Sequence, residues 1–269
     1  MNTLLLKLGF ISFMLIALVG CQTTSESRSN VIGAQGSSNS RSDFNRDKAA
    51  QIRLSAGLQY LKQGNLQNAK RHLDKALELG DDSGNVHFGL AYYFEHVKEF
   101  KRAEKYYKRA LRLEKKNPDF LNGYASFLCN RKKYEEAEKY FTKAISQPIY
   151  PDIASAYMNA GVCAKKSKNL VKASSYFRKA LNRNKKLATA LIEMAQLEYD
   201  KKRYKRALSY VQRFEAVSRP SSNSLWIALR VAHYLKLRDD KASYIIKLEQ
   251  MFPDSDETAA YLDGQEQWK

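Results

Sequence analysis

From Ala49 onward, apolar and polar positions follow one another with a helical period, and the pattern returns at a nearly fixed interval. An alanine recurs at Ala69, Ala103, Ala137, Ala173, Ala207 and Ala242, in steps of 34, 34, 36, 34 and 35 residues. Four residues after each stands a larger apolar side chain: Leu73, Tyr107, Phe141, Phe177, Val211 and Ile246. Seven residues after the first four come Ala76, Ala110, Ala144 and Ala180. Three residues before the first five are Leu66, Phe100, Tyr134, Leu170 and Tyr204, and twelve before them are Gly57, Ala91, Ala125, Gly161 and Ala195. Offsets of three, four and seven lie on one face of a helix. The small residues let two helices approach closely, and the large one fills the space beside them. Each interval therefore predicts a pair of antiparallel helices, and the chain an all-α fold. A single hairpin cannot bury its own apolar face, so successive hairpins must stack. The five prolines, Pro118, Pro148, Pro151, Pro220 and Pro253, fall where the helical pattern breaks.

These offsets resemble the tetratricopeptide-repeat (TPR) consensus over roughly residues 49–253. The resemblance implies a superhelical TPR array of about six helix-turn-helix units, near 50–83, 84–117, 118–151, 154–187, 188–222 and 223–253. Three residues depart from the pattern: Phe214 and Glu249 in place of the second small residue of helix B, and Arg230 at the small position of the sixth helix A. The one long interval comes from a loop at 147–152 containing Tyr150-Pro151, which fits a change of superhelix pitch or a neutral insertion. Residues 254–269 are expected to form a C-terminal tail.

The N-terminal stretch follows different rules. Residues 1–20 carry Lys7 and then an apolar run from Leu8 to Val19, too short to span a bilayer comfortably, which reads as a signal peptide. Leu18-Val19-Gly20-Cys21 resembles a bacterial lipobox, and that resemblance implies cleavage before Cys21 and acylation of its thiol and new N-terminus. Gln22, rather than Asp, follows the cysteine, which by the usual sorting pattern implies the periplasmic face of the outer membrane. Residues 21–48, rich in Ser, Asn, Gln and Thr, are expected to be a lipidated flexible tether.

The formal charge of +18 invites a nucleic-acid reading, which an exported chain makes improbable. Anionic lipid headgroups, lipopolysaccharide, an acidic protein surface or a merely solvated Lys-rich face remain open. No catalytic constellation is present in the sequence. His72, His87, His96 and His233 do not fall at metal-ligand spacing with Cys or carboxylates, and neither a Gly-rich phosphate loop nor a nucleophile elbow occurs. The chain is thus expected to be no enzyme, with no cofactor, metal or small-molecule substrate.

Two features point to structure and binding. In the repeat frame Cys129 and Cys163 fall in neighbouring helices A, so an oxidising compartment predicts a disulfide; the other reading is two reduced, buried small residues. TPR arrays bind along a concave groove lined by helices A. There Leu54, Leu58 and Leu61 form an i, i+4, i+7 stripe that Phe88 and Tyr92 extend. The stripe is expected to lie outside the hairpin core and to accept an amphipathic helix; packing against a preceding segment is the other reading. Leu54 and Leu58 stand where carboxylate-clamp TPRs carry Lys and Asn, which argues against a chaperone-tail ligand.

Lipobox, tether and six repeats in this order resemble the type IV pilus biogenesis/stability lipoproteins, the TPR pilotins of the pilus secretin. Residues 57–66 (GLQYLKQGNL), Tyr150-Pro151 and residues 238–244 (RDDKASY) carry the likeness. It implies an outer-membrane lipoprotein that binds the secretin subunit and promotes its outer-membrane localisation and multimerisation, with acylated Cys21 in the lipid. A TPR lipoprotein adaptor for outer-membrane protein assembly or for peptidoglycan enzymes is the alternative.

Overall fold

The computed structural model of the protein describes residues 38–264. The expected signal peptide, Cys21 and the expected tether up to residue 37 lie outside the described residues. The chain divides into two units, Met1–Arg41 and Ser42–Lys269. Of the first, only the opening residues of helix α1 are described.

Among the described residues there are thirteen helices and no strand. They pair into six hairpins: α1 (Ser38–Lys62) with α2 (Leu66–Leu79), α3 (Gly84–His96) with α4 (Phe100–Leu113), and α5 (Pro118–Asn130) with α6 (Tyr134–Ile145). Then follow α7 (Ile153–Lys166) with α8 (Leu170–Arg183), α9 (Ala188–Asp200) with α10 (Tyr204–Glu215), and α11 (Ser222–Tyr234) with α12 (Arg238–Met251). The short α13 (Asp256–Leu262) packs on the last hairpin. The fold is the all-α TPR array expected from the repeat. The alanine frame forms its core: Ala69, Leu73 and Ala76 of α2 are fully buried, as are Ala173, Phe177 and Ala180 of α8. Close approach is literal at Gly57 and Gly161. A Cβ on either would meet the Leu73 or Phe177 side chain at 2.7 Å.

Each hairpin turns through the same device. In the second, the Glu99 N–H donates to the Phe94 carbonyl at 2.8 Å and the Lys98 N–H to Glu95 at 3.0 Å, while Lys98 takes a φ of 63°. This is the Schellman ending of a helix, which needs a left-handed residue just past the cap. Gly64 fills that place in the first hairpin, and Lys98, Lys132, Lys168, Lys202 and Lys236 fill it in the others.

The structure revises four expectations. First, α1 begins at Ser38, so the part of the expected tether from Ser38 to Lys48 is helical. Second, the expected tail contains α13, which Ser255 caps through the Thr258 N–H and whose Thr258 is buried. Third, the sixth repeat is one residue out of register. The left-handed turn residues Lys202 and Lys236 are 34 residues apart, so Lys241, not Ala242, matches Ala207. Ala242 and Ile246 are exposed, and Tyr244 and Leu248 are buried instead. Among the described residues only the short α13 packs on this hairpin, and it does not demand the close approach of a further hairpin, so the small residue is dispensable. By the same shift Leu229, fully buried, holds the small position of α11, and Arg230 moves into the groove. Fourth, the long loop is no neutral insertion: Tyr150 is buried with Leu121, Ala144 and Ala156, plugging the junction of the third and fourth hairpins.

Candidate partner-binding groove

The groove forms because helices A contact one another between hairpins, as α5 does α7 and α9 does α11. Its N-terminal end is an apolar concavity of about 670 Å³ between α1 and α3. All five residues expected to bind a partner, Leu54, Leu58, Leu61, Phe88 and Tyr92, line it, together with Lys62, Asn85, Gly89 and His96. They do not play one role. Leu54 and Leu61 are 7% and 3% exposed and belong to the hairpin core, contrary to the expectation of a stripe outside it. Leu58 and Phe88 are half-buried, and Tyr92 is 53% exposed. Leu54 and Leu61 therefore make the floor, Leu58, Phe88 and Tyr92 the walls, and Lys62, Asn85 and His96 the polar rim.

Two glycines shape these walls, and the sequence pattern gave no sign of either. A Cβ on Gly89 would meet Leu54 Cδ1 at 2.4 Å, so the bare backbone of α3 is what lets Leu54 lie flat in the floor. A Cβ on Gly123 would meet Phe88 Cζ at 2.4 Å. The Phe88 ring thus lies over the backbone of α5, stacked on Phe120 at 4.9 Å between centroids. That wall is fixed before any partner arrives, which lowers the entropic cost of binding.

Beyond Tyr92 the groove becomes polar. Asn130 Nδ2 donates to Glu95 Oε1 at 3.2 Å, Lys166 Nζ donates to Asn130 Oδ1 at 2.8 Å, and Asn159 Nδ2 donates to Asn122 Oδ1 at 3.2 Å. Glu95 also accepts from the Tyr107 hydroxyl at 2.8 Å. Burial first, and then the Glu95 carboxylate, hold the Tyr107 phenol well above its ordinary range. At the far end Arg230 donates to Gln196 Oε1 at 2.8 Å, and its guanidinium lies 4.5 Å from the Tyr199 ring centre and 5.4 Å from that of Trp226. Burial pushes the Tyr199 phenol up to about 12, with Arg230 opposing.

A disulfide joins Cys129 at the end of α5 to Cys163 in α7, with Cα atoms 5.8 Å apart. It ties the third and fourth hairpins together beneath the polar stretch. Cys21 lies outside the described residues.

Comparison with known proteins fits this architecture. Residues 85–148 match the YpiA-like C-terminal tetratricopeptide repeats, and residues 130–188 match a tetratricopeptide-repeat family. The chain is 30% identical over 249 residues to the type IV pilus assembly protein PilF of Pseudomonas aeruginosa, covering 93% of this chain and 95% of that one. A solved structure of Pseudomonas aeruginosa PilF superposes with a TM-score of 0.75 at 32% identity, covering 82% of this chain and 100% of that one. The crystal structure of PilW, a widely conserved type IV pilus biogenesis factor, superposes with a TM-score of 0.71 at 22% identity, covering 79% and 98%, and supports the fold. With 30% identity to that relative across 93% of this chain and 95% of the other, the chain belongs to the family of the type IV pilus assembly protein PilF.

Proposed function

We propose that this chain is a lipid-anchored, non-catalytic scaffold of type IV pilus biogenesis. Its apolar N-terminal groove holds the secretin subunit and promotes that subunit's localisation and multimerisation at the outer membrane. Family membership supports the pilus role and a protein partner. The observation that carries the binding site is the concavity itself: half-buried Leu58 and Phe88 and exposed Tyr92 over a leucine floor, rimmed by polar residues. An amphipathic helix of the secretin would bury its apolar face on these walls and leave its polar face to Lys62, Asn85 and His96. The lipobox at Cys21 supports an acyl anchor, and Gln22 supports the periplasmic face of the outer membrane as its destination.

The test places a charge on a wall and leaves the floor intact. Leu58→Glu and Tyr92→Glu each set a carboxylate where a bound apolar helix would strip it of water, at a cost of several kcal/mol. In free protein the same carboxylate faces solvent. Secretin multimers in the outer membrane should fall sharply in both variants, while helicity and Tm stay near those of the unaltered protein. Normal multimer levels with both stable variants would move the site away from this groove. A Cys21→Ala form that remains membrane-bound and fully active would remove the anchor from the reading.

A further inference from the structure

Five of the six hairpin turns place a lysine in the left-handed region: Lys98, Lys132, Lys168, Lys202 and Lys236, with φ between 57° and 63°. That conformation suits glycine, and Gly64 occupies it in the first turn. Any other residue there costs up to about 1 kcal/mol. All five lysines are exposed, and among the described residues none of their side chains makes a hydrogen bond or ion pair. Neighbouring Lys133, Lys165 and Arg203 do pair, with Glu104, Glu193 and Glu198.

The helix dipole does not explain the choice. A cation near a helix C-terminus is favoured at every helix alike. One residue past the cap, where these lysines stand, the second helices carry Asp81, Lys115, Gln147, Lys185, Val217 and Pro253, basic in two of six. Among the described residues, left-handed lysines occur on one kind of end only. Because the hairpins stack, those ends form one edge of the array. In residues 95–100, 129–134, 165–170, 199–204 and 233–238 that edge holds twelve Lys and Arg against Glu95, Glu99 and Asp200. The opposite edge mixes its cations with Asp81, Asp82, Glu114, Asp152, Asp254 and Asp256.

We propose that this edge is a membrane-docking surface whose row of turn lysines binds the anionic headgroups of a phospholipid bilayer. Adjacent packed helices lie about 8–10 Å apart, so the row presents charges at roughly the spacing of neighbouring lipid headgroups. The lysines are point charges on long, unpaired stems, with no cavity and no bidentate arginine fork between them. That arrangement does not select a single folded epitope or a single phosphate, but it sums over a surface of repeated negative charge. The proposal does not depend on what the apolar groove binds.

The substitution that tests it also protects the fold. Residues 42–269 hold every described core cluster, so this segment is studied free of any acyl anchor. It is sedimented with phosphatidylglycerol/phosphatidylethanolamine vesicles and with phosphatidylcholine vesicles. The unaltered segment should bind the anionic vesicles and not the zwitterionic ones, and more weakly as salt rises. A variant carrying Lys98→Gly, Lys132→Gly, Lys168→Gly, Lys202→Gly and Lys236→Gly should bind at least about 100-fold less, at about fivefold per lysine. Its Tm should not fall, because glycine suits all five turns. A variant with the same loss of charge on the other edge, Lys115→Gln, Lys116→Gln, Arg183→Gln, Lys185→Gln and Lys186→Gln, should keep most of the binding. Equal losses in the two variants would show that net charge, not this edge, binds lipid, and would overturn the proposal. So would unchanged binding of the glycine variant, or an unaltered segment that ignores the vesicles yet binds soluble polyglutamate.

Discussion

Leu58, Tyr92, Ser126, Val162, Gln196 and Arg230 occupy equivalent places on successive helices A, and the groove changes chemistry along them. In hairpins one and two the walls are Leu58, Phe88 and Tyr92, apolar surface left open above a closed core. In hairpins three and four the same face carries Asn122, Asn130, Asn159 and Lys166, which spend their donors and acceptors on one another and on Glu95. One stretch gains by losing water to a partner, and the other has already satisfied its polar groups. A repeated backbone therefore carries two unlike surfaces, and the difference lies in side chains that the hairpin itself does not require.

Four changes sharpen or break this contrast, in descending size. The floor of the apolar end belongs to the core, so Leu61→Ala should cost about 2–5 kcal/mol in urea unfolding. A loss under about 1 kcal/mol would make Leu61 a wall like Leu58. In the polar stretch, replacing both Cys129 and Cys163 by Ser should cost about 2–4 kcal/mol, the model-dependent worth of a cross-link closing a loop of this length. Thiol labelling of denatured, unreduced protein should find both sulfurs blocked, and free thiols at both positions would remove the cross-link from the account. Asn130→Ala cuts two hydrogen bonds of an exposed chain, so its cost should be about 0.5–1.5 kcal/mol, with capture of an apolar ligand unchanged. A large loss of ligand would instead make the polar stretch part of the binding site.

The smallest effect is a pH dependence next to the apolar end. His87 is buried in α3, where Nε2 lies 2.7 Å from the Asp81 carbonyl oxygen and Nδ1 has no partner. Burial lowers its pKa below 6.5, and Arg109 adds to this, while the hydrogen bond to Asp81 opposes it. The unfolded chain then binds the proton more readily than the folded one. The contribution is full above the unfolded value of about 6.5 and is lost as pH falls through it toward the lowered folded value. Thermal unfolding across that window should show stability falling on acidification, and His87→Asn should flatten the slope. An identical slope in the variant would assign the pH dependence to other groups.

Much of this molecule was legible in its sequence because hairpin formation is local. Small and large residues at offsets of three, four and seven specify which faces of two neighbouring helices meet, whatever lies further away. The same frame brought the two cysteines to adjacent helices, and it brought Leu54, Leu58, Leu61, Phe88 and Tyr92 to a single concavity. What the pattern could not assign was depth. Leucines at i, i+4 and i+7 share a stripe, but the neighbouring helix decides which of them is covered. Gly89 lets Leu54 sink against α3, and Gly123 holds the Phe88 ring over α5. The last repeat misled for a related reason: with only the short α13 packed on it among the described residues, Lys241 stands where close packing elsewhere requires alanine, and an exposed Ala242 one residue later imitated the frame. The lysine row likewise emerges only from the stacked fold. Its five members lie about a repeat apart in sequence, and only the packing of hairpin on hairpin sets them along one edge. Sequence alone thus determined the helices and their pairing, because those rest on contacts between near neighbours in the chain. Tertiary structure alone decided the floor and walls of the groove and the charged edge, because burial and charge density belong to surfaces assembled from several repeats.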